Sequence, residues 1–217
     1  MGSWRKFDAP PEMQHFAALM SALRKYDVLP EEQYLNSPSY GEWQFEYVDG
    51  QVYAMAEPTD EHELIALNIA SALARHLRNR KCKVFNGKKR VRLDFLNRVF
   101  HYYPDVMVVC EKEPPRDDRF KENPVALFEV LSPSTEGTDI REKMFAYLNT
   151  ASVNHYVIVA QNKVELTIYR RTEPPQGWEI ESLTELTDVL RLPDLGFEMR
   201  VSEVYEKVEF PPQPPES

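Results

Sequence analysis

Two carboxylates stand where a folded chain ordinarily tolerates none. Glu129 lies inside the run Val125-Ala126-Leu127-Phe128-Glu129-Val130-Leu131, closed by Pro133 and otherwise suited to a strand buried on both faces. Asp105 follows Pro104 and leads into Val106-Met107-Val108-Val109, a second candidate interior strand. An ionised carboxylate in such a setting costs several kcal/mol unless it is paired or neutralised. If the two strands are neighbours, like charges at close range require a compensating cation. Magnesium is the natural candidate, because it takes one or two carboxylates, several waters and a substrate phosphate; manganese is its usual substitute. The carbonyl of Val130 offers a main-chain ligand beside Glu129. Lys143, in the helical pattern that follows, supplies a cation for charge developing on a phosphate, and Tyr147 lies one turn further on the same face.

Two more residues join this set by type and position. Glu46 sits on a predicted hairpin, and His62 in the first turn of a predicted helix, where it can reach a phosphate or a water. Each residue alone has a plainer reading. Asp105 suits a strand-start cap, Lys143 a surface lysine pairing with Asp139, Tyr147 a packing aromatic and Glu46 a cross-strand charge. An arginine from elsewhere in the chain is the plainer partner for Glu129. Other chemistries fit less well. His62-Glu63-Leu64-Ile65-Ala66 starts like a zinc-protease helix but has alanine at the second histidine position. With seven glycines there is no phosphate-cradling glycine loop, and Ser132 and Ser134 lack the pattern of a nucleophile elbow.

The elements that must position these groups follow from periodicity. A helical pattern with Phe16, Leu19, Met20 and Leu23 on one stripe precedes Asp27 and Pro30. Alternating residues around Asp49-Gly50 predict a hairpin over 43–48 and 51–56. Asp60 is the expected cap of the next helix, with Glu63 as capping-box partner and Ile65, Ile69, Ala72 and Leu73 facing the core. Strands are expected near 82–86, 89–95, 104–110 and 125–131. A second helix follows from Asp139, with Glu142 as its capping-box partner and Met144 and Leu148 on its apolar side. Two further strands are expected in 154–160 and 163–171. This order predicts a mixed α/β sheet with few helices. The ending, Phe210-Pro211-Pro212-Gln213-Pro214-Pro215-Glu216-Ser217, is too proline-rich to pack.

The 217 residues are 42% hydrophobic and 28% charged, which suits one globular domain with a sizeable core. The net charge of −9 argues against non-specific coating of nucleic acid. That average conceals a segregated pattern. No acidic residue falls between Glu63 and Asp94, whereas Arg75, Arg78, Arg80, Lys81, Lys83, Lys88, Lys89, Arg90 and Arg92 do. The remaining 17 basic and 35 acidic residues leave −18 elsewhere. Lys88, Lys89, Arg90 and Arg92 are therefore candidate contacts to a polyanion, with lysine protection of an edge strand as the plainer reading. Cys82 and Cys110 are too few for a disulfide framework and lack metal-ligand spacing, so a reducing cytoplasm is expected. Nothing reads as a signal peptide or membrane span.

The segments Phe45-Glu46-Tyr47-Val48-Asp49-Gly50-Gln51, 58–65, 103–109, 128–135 and 139–159 occur in an order and spacing that resembles the Uma-type endonuclease family of bacteria. The similarity spans roughly 29–208, which leaves 1–28 as a helical extension and 209–217 as a disordered tail. The resemblance implies a restriction-endonuclease-like core of PD-(D/E)xK type: a mixed central β-sheet flanked by helices, with an N-terminal β-hairpin. It implies Asp105 and Glu129 as metal-binding acids and catalysis by Asp105, Glu129, Lys143 and Glu46. His62 and Tyr147 match its supporting histidine and tyrosine. Leu131 stands where the strand lysine of that pattern usually lies, and Lys143 matches the family's helix lysine instead. Asp139-Ile140 and Asn154-His155-Tyr156 depart from the more usual Asp-Arg and Glu-Tyr-Trp. The implied activity is magnesium-dependent hydrolysis of DNA, by copies that pair to cut both strands. The alternative is an inactive nuclease-fold module that binds nucleic acid or a protein.

Overall fold

The computed structural model describes residues 28–36, 44–110, 116–131, 138–172 and 177–210. The expected N-terminal helix stripe and the proline-rich ending lie outside these residues. The chain divides into two compact units, Met1–Ala56 and Glu57–Ser217.

The first unit contains helix α1 (Glu31–Asn36) and the hairpin of β1 (Phe45–Val48) with β2 (Gln51–Ala54). Its turn falls at Asp49-Gly50, as the alternation predicts, with φ values of 47° and 93°. Glycine is required there for space as well as conformation, because a Cβ would lie 2.1 Å from Cγ1 of Val28. That close approach is fastened by Leu29 N–H donating to the Gly50 carbonyl at 2.9 Å and the Tyr47 hydroxyl donating to the Leu29 carbonyl at 2.8 Å.

The second unit opens with α2 (Asp60–His76). Thr59, not Asp60, is its cap: Thr59 Oγ1 accepts from the His62 N–H at 3.3 Å. Glu63 thus falls one place beyond the capping-box position. Acidic residues in the first turn and Arg75 and His76 in the last complement the helix dipole.

A six-stranded sheet follows the order β11 (Gly177–Leu183), β10 (Leu166–Thr172), β9 (His155–Ala160), β8 (Pro124–Leu131), β6 (Val106–Val109) and β3 (Lys83–Asn86). Strands β8 and β9 are parallel and joined through α3 (Thr138–Asn149); the other neighbours are antiparallel, which makes the sheet mixed. One face packs Val106, Val108, Ala126, Phe128, Val130, Val157 and Val159 against the expected α2 stripe. The same core takes in the hairpin of β12 (Val189–Leu192) with β13 (Phe197–Arg200), and the short helix α4 (Val201–Val204).

Beside this lies β4 (Arg90–Phe95), antiparallel to β5 (Arg98–Tyr102) and parallel to β7 (Phe120–Lys121). Strand β5 has no counterpart in the sequence reading. Its turn, Leu96-Asn97, holds both residues at positive φ, 52° and 60°, without a glycine to announce it. A leucine in the left-handed region costs roughly 1–2 kcal/mol.

Two expectations are corrected here. Cys82 and Cys110 are joined in a disulfide with Sγ–Sγ 1.99 Å. The β3–β6 register, Lys83 opposite Val109, brings them face to face across 28 residues of sequence. Helix α3 starts at Thr138 and buries Lys143, Ala146 and Tyr147, whereas Met144 and Leu148 are only half-buried. Among the described residues no helix is long and apolar enough to cross a membrane.

Candidate active site

The β6–β8 register pairs Val106 with Phe128, so Asp105 and Glu129 fall at the next position, directly across from each other. Residues so opposed in an antiparallel pair share a face and have Cβ atoms about 5 Å apart. Asp105 ends its strand in an unusual way. Its Oδ2 accepts from the Val130 N–H at 2.7 Å, taking the place that a further residue of β6 would occupy on that edge. The amide and carbonyl of one strand residue leave on the same side, so the Val130 carbonyl faces this edge too.

His62, from the start of α2, sets its Nε2 3.2 Å from Asp105 Oδ2. Burial pulls the His62 pKa down, but the hydrogen bond and charge of Asp105, with Glu63, outweigh it and leave the pKa raised. The other ring nitrogen, Nδ1, is buried without a hydrogen-bond partner among the described residues.

Glu129 is held from the opposite side of the site by α3. The Tyr147 hydroxyl donates to Glu129 Oε1 at 2.7 Å, and Lys143 Nζ lies 3.7 Å from Oε2. Both members of this ion pair are buried, each 7% exposed. Lys143 also stands over the ring of Tyr102, 5.6 Å from its centroid. Arg171 closes the far end of the helix: its Nε donates to the Val153 carbonyl and its Nη2 to the Thr150 carbonyl, both at 2.7 Å. Helix α3 is thereby anchored at its C-terminal end, just beyond the stripe that carries Lys143 and Tyr147.

The structure thus gathers Asp105, Glu129, Val130, His62, Lys143 and Tyr147. Glu46 belongs to the first unit, buried on β1 opposite Tyr53. The basic candidates spread along β4 and the turn before it. Lys88 is exposed. Lys89 donates to the Asp118 carbonyl, and Arg90 stands 5.9 Å from the Tyr103 ring centroid. Arg92 is paired with Asp94 at 3.1 Å and Glu122 at 3.7 Å, which offsets part of the charge that the sequence concentrates here.

Two residues that the sequence reading passed over lie against this cluster. Tyr102 underlies Lys143; the alternation Arg98, Phe100, Tyr102 is its signal, hidden because β5 went unrecognised. Tyr156 is fully buried, and its hydroxyl has no hydrogen-bond partner among the described residues. Burial pushes its pKa well above the usual tyrosine value, and the negative charge of Glu129 adds to this.

A divalent cation is tested by the donor set. Among the described residues no three His, Cys, Asp or Glu side chains converge as ligands. Asp105 beside the start of β6, Glu129 at the neighbouring position of β8 and the Val130 carbonyl nonetheless offer an all-oxygen set. That set suits a hard ion which keeps waters and takes substrate oxygens.

The fold is a restriction-endonuclease-like one. A solved structure of a "putative nuclease belonging to DUF820" from Anabaena variabilis matches with a TM-score of 0.64 at 17% identity, over 80% of this chain and 96% of that one. The family model Uma2, described as "Putative restriction endonuclease", matches residues 31–202, and the chain belongs to that family. Two uncharacterised proteins of Synechocystis sp. are also similar. One, slr1290, is 28% identical over 84% of this chain and 94% of its own length. The other, sll1609, is 24% identical over 75% and 92%.

Proposed function

We propose that this protein is a magnesium-dependent endonuclease that hydrolyses DNA phosphodiester bonds. The observation that carries the reading is the neighbouring placement of Asp105 and Glu129 along β6 and β8, with Lys143 against Glu129 and the Val130 amide on Asp105. Asp105, Glu129 and the Val130 carbonyl would hold the cation. When bound, it supplies a lowered pKa for a coordinated water and positive charge for the scissile phosphate.

The chain's own groups do the rest. Tyr147 fixes Glu129 through its hydroxyl, and His62 and the Val130 amide fix the orientation of Asp105. The Lys143 ammonium is held beside Glu129, where it can turn to a phosphate oxygen as charge develops there. The low-dielectric wall of Tyr102, Tyr147 and Tyr156 strengthens that interaction. Lys88, Lys89, Arg90 and Arg92 are proposed to contact the backbone of the substrate.

The test is cleavage of plasmid and single-stranded DNA with magnesium or manganese. Asp105→Asn, Glu129→Gln and Lys143→Ala should each reduce cutting at least a hundredfold. Wild-type rates in all three would overturn the reading.

A second reading has its own observation. His62 and Lys143 already balance the two acids, as in a nuclease fold that binds without turnover. Calorimetry separates the two: no heat with millimolar magnesium, together with retained DNA binding, supports the inactive module.

A further inference from the structure

A corner of positive charge stands away from the carboxylates and takes no part in the proposed chemistry. Helix α2 ends at its cap, Leu77, and before β3 begins the chain carries Arg78, Arg80 and Lys81; Lys83 is the first residue of the strand, and all four are exposed. Among the described residues Arg78, Lys81 and Lys83 meet no carboxylate within ion-pair distance. Arg80 donates through Nη1 to the Leu195 carbonyl at 2.6 Å, a bond that fixes the segment and leaves the charge uncancelled. Ordinary structural reasons cover only part of this group. A lysine on an edge strand deters pairing with other chains, which accounts for Lys83. The helix dipole acts within the last turn, where Arg75 lines a surface pocket with Glu198 and Glu203. It does not account for Arg78, Arg80 or Lys81.

Three elements hold the corner at a set distance from the candidate active site. Helix α2 places His62 against Asp105 in its first turn and leads to the corner from its last. Strand β3 starts at the corner with Lys83, and just past its end the Gly87 amide donates to the Asp105 carbonyl at 3.1 Å. Strand β6 starts beside Asp105 and is followed by Cys110, whose disulfide to Cys82 fixes the chain between Lys81 and Lys83. Extended chain from Asp105 to Cys110 spans about 17 Å. That equals about five steps of duplex DNA at about 3.4 Å each.

We propose that this corner binds the phosphate backbone of duplex DNA about five base pairs to one side of the scissile bond; the position of the bond rests on the nuclease reading. Charge selects the occupant. The residues outside the basic segment sum to −18, so the field of the molecule draws a polyanion to this side and repels it elsewhere. A rigid row of cations suits a stiff partner, and duplex DNA keeps its direction over about 150 base pairs. A single strand is held by stacking on exposed rings as well as by charge. Between Ser71 and Lys89 the one aromatic residue, Phe85, is half-buried, with the Lys121 ammonium 5.3 Å from its ring centroid.

The test is binding in EDTA, read by fluorescence anisotropy over a range of salt, so that catalysis is not required. The probes are a labelled duplex two helical turns long and one of its strands alone. Arg78→Gln/Lys81→Gln/Lys83→Gln should weaken duplex binding about tenfold or more at low salt and lower the slope of log K against log salt by about 2 to 3, close to 0.9 for each lost phosphate contact. The single strand should lose less. Arg116→Gln/Lys207→Gln removes exposed charge elsewhere and should leave the slope unchanged. If the triple variant melts early, Arg78→Gln and Lys81→Gln singly carry the test, each removing about one unit of slope. An unchanged slope, an equal fall in the Arg116/Lys207 variant or an equal loss on the single strand overturns the inference and leaves the nuclease reading standing. A slope that falls as expected in a protein that cuts no duplex with magnesium keeps the corner as a binding surface and sinks the nuclease reading instead.

Discussion

The two faces of the six-stranded sheet are built on opposite principles. Toward α2, strands β6, β8 and β9 present valine, alanine and phenylalanine to Ile65, Ile69 and Leu73. Toward α3, β8 and β9 present Glu129 and Tyr156 to Lys143 and Tyr147, while Asp105 at the sheet edge is held by the Val130 amide and by His62 from the start of α2. Strand alternation makes this possible, since a one-residue step along β8, from Phe128 to Glu129, changes face. The first face holds the domain together by area removed from water. The second is stable only while each of its charges keeps its partner. A protein that needed only stability would have built both faces like the first.

That contrast can be broken most forcefully by single substitutions. Phe128→Ala should cost about 3–5 kcal/mol, as large-to-small changes in a sealed core do. Glu129→Leu should cost a similar 3–5 kcal/mol for another reason, because the buried Lys143 charge and the Tyr147 hydroxyl both lose their carboxylate partner. The double variant Glu129→Leu/Lys143→Met should regain most of that loss, with activity absent. Urea denaturation measures all three. If the double variant is no more stable than the single, the second face is packed as demandingly as the first. The disulfide is the next largest effect. It ties the edge strand β3 to β6 at the end remote from Asp105, and reduction, or Cys82→Ala with Cys110→Ala, should lower stability by about 3 kcal/mol. Thermal unfolding with and without a reductant checks this, and the double alanine variant should show no response to reductant.

How much of this could be read from sequence depends on whether the signal was local. The conflict of Glu129 with its apolar neighbours lies within one strand, and so does that of Asp105; both were legible. Their opposition is not local, since it follows from the β6–β8 register. Cys82 and Cys110 escaped for the same reason. The turn at Leu96-Asn97 was missed because turn recognition expects glycine or asparagine first, and with it went β5 and Tyr102. For α3 the hydrophobic pattern misled. Met144 and Leu148 look like its inner stripe, but the helix turns inward the side that can hydrogen-bond and neutralise Glu129. The α2 cap shifted by one because threonine and aspartate are both competent caps, and the bond from His62 N–H selects Thr59.

Smaller changes sharpen the comparison at its hinge, the attachment of α3. Arg171 forks onto three carbonyls at the end of the helix, those of Val153, Thr150 and Leu148. Lysine keeps the charge but not the fork. Arg171→Lys should therefore lower stability by about 1–2 kcal/mol while reducing kcat more than KM, because Lys143 and Tyr147 lose their fixed register over Glu129. An unchanged kcat with reduced stability would make Arg171 a purely structural clamp.

The smallest effect is the one most specific to the charged face. The His62 pKa is raised in the folded protein, since Asp105 favours the imidazolium more than burial disfavours it. A folded pKa above the unfolded one stabilises the protein fully below the unfolded value, near 6.5, and the gain is lost as pH rises through the folded value. In metal-free buffer, wild type should therefore exceed His62→Asn in stability at about pH 5–6 by an amount of order 1 kcal/mol, typical of a partly exposed pair. The difference should shrink toward pH 8. The buried His155 of β9, on the α2 side, has a slope of the opposite sign, because burial lowers its pKa and its protonation destabilises the fold as pH falls; wild type and His62→Asn share that slope, so it cancels in their difference. Added magnesium should flatten the slope, since positive charge at Asp105 opposes protonation of His62. A pH dependence that His62→Asn leaves untouched would place the titrating group elsewhere and detach His62 from the carboxylates.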